Sequence, residues 1–386
     1  SSMRMGGYSL ADDSNFDNAS MADILVGQGG LSTFTPMQID RMISGKQVYV
    51  APYIHRYTEG VTGFSSKNDF ETLLQLTYLT YTSPRKDHDK FEQFIENKKE
   101  YNRNTLNNPD SYFTDEVNKV MMQNSPLTAT LLTPEKLDNI SLDEAYAFYK
   151  SRFDSAKGTR FFIVGSFVVD SVKSMLTSYL GGLPGGNVRN SFVDHGIRPP
   201  HGEHRYEYAR NIVERTKVLM RYTGKYPESQ KARIQMGLLS DVLTIRLNQK
   251  LREEIGGVYS PYASSTILQH PQSSYRLDIY FTCSPANLDT LVEATLDEIE
   301  NMKTAISEEN MAKVKKAWLK NRESSMKTNG YWRRVLEDQW TRGEDQTDFA
   351  NYESQIQSVT AKQLSRIAKK YLKQKNHMEF ILSPQK

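Results

Sequence analysis

Leu247-Asn248-Gln249-Lys250-Leu251-Arg252-Glu253-Glu254-Ile255-Gly256-Gly257-Val258-Tyr259 is the stretch on which the reading of this chain turns. Its pattern is that of a long helix ending, a Gly-Gly stop, and a strand that opens on a tyrosine. Arg252 and Tyr259 therefore stand seven residues apart across a helix end. Local structure alone also accounts for both. A cation near a helix C-terminus is favoured by the helix dipole, and a strand rich in Tyr and Ser is unremarkable in a chain with 22 Tyr.

Outward from this stretch, helix starts are marked by capping signals. Thr35-Pro36-Met37-Gln38, Ser141-Leu142-Asp143-Glu144 and Thr360-Ala361-Lys362-Gln363 each place a hydroxyl three residues before a Glu or Gln. Ser66-Lys67-Asn68-Asp69 opens a further helix through Phe70. Alternating and β-branched runs predict strands over 47–54, 160–164, 205–208, 217–222, 259–267, 275–282 and 378–382.

The chain also matches itself. At a fixed offset of 219, Tyr112-Phe113 falls on Tyr331-Trp332, Val117 on Leu336, Ser141 on Thr360, and Glu144 on Gln363. In the same register Phe153 falls on Leu372, and Phe161-Phe162-Ile163 on Phe380-Ile381-Leu382. A period of this size predicts two homologous units. Strands and helices do not alternate one for one, so each unit is expected to be α+β, a mostly antiparallel sheet packed with several helices. The Gly/Pro-rich run Gly181–Gly186 and the stretch to Pro199-Pro200 mark the join. The expected division is 1–183, a linker over 184–203, and 204–386 carrying Arg252 and Tyr259.

At 386 residues the chain is long enough for two or three domains. Its 49 basic and 46 acidic residues nearly balance, and no basic block is interleaved with aromatics, which argues against a nucleic-acid partner. One cysteine, Cys283, excludes an internal disulfide and lies in an apolar run, as a buried inert thiol would. No run is long and apolar enough for a membrane span. The opening Ser1–Gly7 has mid-domain character, as expected of an excised piece of a longer protein.

The pattern Leu-Asn-Gln-x-Leu-Arg-Glu-x-x-Gly-x-x-Tyr over 247–259 resembles the pitrilysin and insulin-degrading-enzyme family of zinc metallopeptidases. The Gly-Gly-Tyr-Ser opening and the helix start at Ser284-Pro285-Ala286-Asn287-Leu288 are similar to that family too, so the resemblance covers nearly the whole chain. It implies two α+β domains per half-molecule. It also implies an Arg and a Tyr in the half that holds no zinc, reaching the substrate at a zinc held by the other half. By this resemblance Arg252 binds a substrate main-chain carbonyl through charge-assisted hydrogen bonds. Tyr259 donates to the oxygen on which negative charge develops, a contribution on the order of 3 kcal/mol in the transition state. The expected partners are an N-terminal zinc-binding half or a catalytic subunit, and a peptide substrate. A periplasmic or envelope location is what related bacterial proteins suggest. A separate, permanently non-catalytic subunit of the same fold is the alternative, and an unrelated α+β interaction protein is a third reading.

The family's inverted zinc motif, His-x-x-Glu-His, has no counterpart here. The His residues are 55, 88, 195, 201, 204, 270 and 377. An ungapped placement puts Ala19, Ala22 and Asp23 where the two His and the Glu would stand, so the expectation is no zinc in this chain. His201-Gly202-Glu203-His204 has the wrong spacing and follows Pro199-Pro200 in the linker. Gly27-Gln28-Gly29-Gly30 lacks the Lys-Ser/Thr of a phosphate loop and reads as a helix end. Lys313, Lys315, Lys316 and Lys320 read as a solvated helix face, and Phe70, Tyr78 and Tyr81 as core.

Overall fold

The computed structural model describes residues 1–385 and is α+β, with two compact units. One comprises residues 1–106 with 125–197, the other 107–124 with 198–386. The first holds β1 (Ser2–Met5), β2 (Val48–Ile54), β3 (Thr58–Ser65) and β4 (Arg160–Phe161) in the order β2-β3-β1-β4, all pairs antiparallel. The second holds β5 (Glu203–Asn211), β6 (Thr216–Lys225), β7 (Tyr262–Leu268), β8 (Ser274–Cys283) and β9 (His377–Pro384) in the order β5-β9-β6-β8-β7. Without β5, which runs parallel to β9, the two orders are the same. In each, the first strand lies between the last strand and the second arm of a hairpin. Several of the residues related by the offset of 219 fall on like elements. Ser141 and Thr360 cap the helices Leu142–Phe153 and Ala361–Tyr371, and Phe161 and Phe380 lie on β4 and β9.

Periodicity explains the second sheet. Along β8 the residues Tyr275, Leu277, Ile279, Phe281 and Cys283 are buried at every second position, the signature of one face against a core. The helix Gln230–Leu247 fills that core with Ile234, Leu238, Leu239, Val242, Leu243 and Leu247. β9 is buried on both faces because the helix Pro109–Met121 seats Phe113, Val117 and Met121 on Met378, Phe380 and Leu382. That helix lies within the continuous 1–183 expected from sequence, but its apolar stripe is buried in the second unit, so neither unit is one unbroken run of chain.

Some boundaries differ from the sequence reading. β3 was not anticipated, since Gly60 and Gly63 interrupt its alternation. β4 is two residues rather than five. Glu203, placed at the linker's end by sequence, begins the pairing of β5 with β9 opposite His377. Cys283 is buried as expected, and burial pushes its thiol up to about 11.

Candidate functional site

The helix Gln230–Leu247 starts at Ser229, whose Oγ accepts the Ala232 N–H at 3.1 Å. It runs without a break into a π-helical segment, Asn248–Glu254. Leu243, Leu247 and Leu251 stay buried, so the apolar face remains inward through the segment, and Arg252 is exposed. Segments of this kind are frequent at functional sites. The Ile255 N–H returns to Lys250 O at 3.2 Å and the Gly257 N–H to Leu251 O at 3.2 Å. Gly256, at φ +73, makes the left-handed turn that this closure needs.

Val258 then re-enters the core, and Tyr259 turns outward. Tyr259 is 79% exposed, and the Arg252 Cζ lies 5.7 Å from its ring centroid. The structure thus brings the two residues together in a cation–π contact at the surface of one unit. Neighbouring Glu254 is taken by Lys250 at 2.8 Å, and Arg252 has no carboxylate partner among the described residues. Tyr259 does not open the strand, as sequence suggested. It lies three residues earlier in a bend, because Pro261 has no N–H to give the ladder and pairing with β8 begins at Tyr262 opposite Tyr280.

Sequence reasoning missed what holds this bend. Asn248 Nδ2 donates to Thr244 O at 2.8 Å and to Pro261 O at 2.9 Å. Thr244 Oγ1 accepts the Ala263 N–H at 2.9 Å, and its own proton lies between Ser240 O at 3.0 Å and Ala263 O at 3.1 Å. Ser240 Oγ meets Ser265 Oγ at 3.2 Å. The signal was present in the sequence: Ser240, Thr244 and Asn248 recur every fourth residue, a polar stripe beside the buried Leu239, Leu243 and Leu247.

The helix Phe16–Gly27 carries the positions where a metal motif would stand. Ala19 and Ala22 are completely buried. Their helix packs on Leu142–Phe153, and Asn18 joins the two by accepting the Ser141 N–H at 2.8 Å. The Asp23 carboxylate accepts from Ile24 N–H at 2.9 Å and Ile54 N–H at 3.0 Å, and burial raises its pKa. Two methyl groups and a carboxylate turned to backbone do not fit a zinc ion. Glu203 and His204 are consecutive on β5, so their side chains leave opposite faces and cannot converge. His204 Nε2 instead faces His201 O at 3.0 Å. Lys313 pairs with Glu309, and Lys315 bonds the Gln357 carbonyl. Tyr81 is core, and Tyr78 packs against it.

Residues 139–317 match the family described as peptidase M16 inactive domain. No curated protein matches the chain by sequence. Among solved structures, the periplasmic protease PqqL from Escherichia coli is similar at TM-score 0.85 and 15% identity, over 100% of this chain and 42% of that one. This chain therefore spans less than half of PqqL's length. A protease from Helicobacter pylori is similar at TM-score 0.82 and 16% identity, over 99% of this chain and 93% of that one. A peptidase M16 inactive domain from Pseudomonas fluorescens is similar at TM-score 0.80 and 15% identity, over 100% and 93%. At these identities the likeness establishes the fold.

Proposed function

We propose that this chain, which carries a peptidase M16 inactive domain on an M16 peptidase fold, is the C-terminal, non-zinc-binding half of a pitrilysin-like metalloendopeptidase. The observation that carries this reading is the Arg252–Tyr259 pair. Both are exposed, both are anchored by buried neighbours, and the two lie in contact. An exposed tyrosine hydroxyl is a hydrogen-bond donor that adds little to the fold but can meet an oxygen as it gains charge. Arg252 offers a planar set of donors to a main-chain carbonyl. The zinc of the other half supplies Lewis acidity and an activated water. Residues brought to that zinc by a second half act only when the halves close, which couples chemistry to enclosure of the substrate.

The buried methyls of Ala19 and Ala22 support a chain that holds no zinc and cleaves nothing alone. Elemental analysis after equilibration with zinc and desalting tests this, with near-zero stoichiometry expected. One tightly held zinc per chain would overturn it. A separate non-catalytic subunit is the second reading; the Helicobacter pylori protease, 93% of which is covered by this chain, supports only that a chain of this length can stand alone. A periplasmic setting is proposed from the location printed for PqqL. No described helix is long and apolar enough to cross a membrane.

A further inference from the structure

The bend that carries Tyr259 lies outside the β7–β8 ladder, which begins only at Tyr262. Upstream it is fixed by Gly257 N–H on Leu251 O and by buried Val258. Downstream it is fixed by Asn248 on Pro261 O and Thr244 on Ala263. With 257, 258 and 261 pinned, only Tyr259 and Ser260 remain to be placed.

We propose that Thr244 and Asn248 are positioning residues that aim Tyr259, an inference that rests on the role proposed for that tyrosine. Helix stability does not call for them, since Thr and Asn are weaker helix formers than the Leu, Ala or Met that would fill the same space. Their polarity matches what lies opposite. The N–H and C=O of Ala263 both meet Thr244 Oγ1, so they point away from β8, toward the sheet's outer edge. An apolar residue at 244 leaves that N–H without its acceptor. The same contacts occupy the edge at Pro261 and Ala263, so an added peptide strand finds no free partners there.

Hydrogen exchange read by mass spectrometry on this chain tests the hold without reference to activity. Thr244→Val is expected to speed exchange at Ala263 and across 258–264 about tenfold, the loss of one hydrogen bond. Peptides from 230–243 should be unchanged, and Thr244→Ser should behave as wild type. Asn248→Ala, at a half-exposed site that tolerates truncation, should loosen the same segment should Thr244→Val fail to fold. Unchanged exchange across 258–264 in the folded variants overturns the proposal whatever the protein's activity. With the zinc-bearing half present, Thr244→Val and Asn248→Ala should lower kcat about tenfold with little change in KM, and Thr244→Ser should restore it. Normal kcat in both, where Tyr259→Phe is impaired, overturns the positioning role and leaves the function proposed for Tyr259 standing. Normal turnover in Tyr259→Phe itself overturns that function and this inference with it.

Discussion

Tyr259 keeps its ring in water and against Arg252, so its removal leaves the core untouched. If the chain works as proposed, Tyr259→Phe should lower the kcat of the combined halves by about 10²-fold, with an unchanged thermal transition. Wild-type turnover would remove its role. The pair was legible in the sequence through its spacing and the surrounding motif. Its mutual contact was not, because nothing in the sequence of 248–254 distinguishes a π turn from an α turn. A second residue, His377, is buried with Nδ1 on Gln374 O at 2.5 Å and Nε2 on Glu379 at 3.0 Å. Burial opposes its charge, but the Glu379 hydrogen bond and the Gln374 carbonyl outweigh burial and raise its pKa above 6.5. With a raised folded pKa, the stabilisation is complete below the unfolded value and is lost as pH rises through the folded one. Urea midpoints should therefore fall over that upward window, and His377→Gln should flatten the fall.

At the scale of elements, the closure at Gly256 is the critical joint. A Cβ there meets no atom within 4 Å, so the cost of Gly256→Ala comes from φ +73 alone, about 1 kcal/mol. Denaturant midpoints should show that loss, and an unchanged midpoint would mean that the turn relaxes. Capping was well written in the sequence. Thr35 and Thr360 form complete capping boxes with Gln38 and Gln363. Ser141 makes only half of one, because Glu144 is engaged by Asn18. That partner is 126 residues away, beyond the reach of any local pattern. The strand start at Tyr262 rather than Tyr259 is a proline effect that the sequence did contain, since Pro261 was in view.

In the whole molecule, the helix Pro109–Met121 completes a sheet whose strands all follow residue 202. Its stripe Phe113, Val117, Met121 signals a buried face at helical spacing but not which sheet receives it, so a continuous 1–183 was the natural reading. Residues 198–386 made without 107–124 should expose Met378, Phe380 and Leu382, bind a hydrophobic dye and aggregate. A peptide of residues 107–124 added in trans should reverse this, and a soluble, dye-silent 198–386 would contradict the assignment. The mostly antiparallel character of each sheet was legible in the sequence, whereas the strand orders and the parallel β5 were not, because long-range pairing leaves no local pattern. The most direct test of the central claim is peptide hydrolysis by this chain, by a zinc-bearing M16 half, and by the two combined. Turnover only in the mixture, weakened through KM by Arg252→Ala with zinc content unchanged, is the predicted result. Hydrolysis by this chain alone, with one zinc bound to it, would contradict the account.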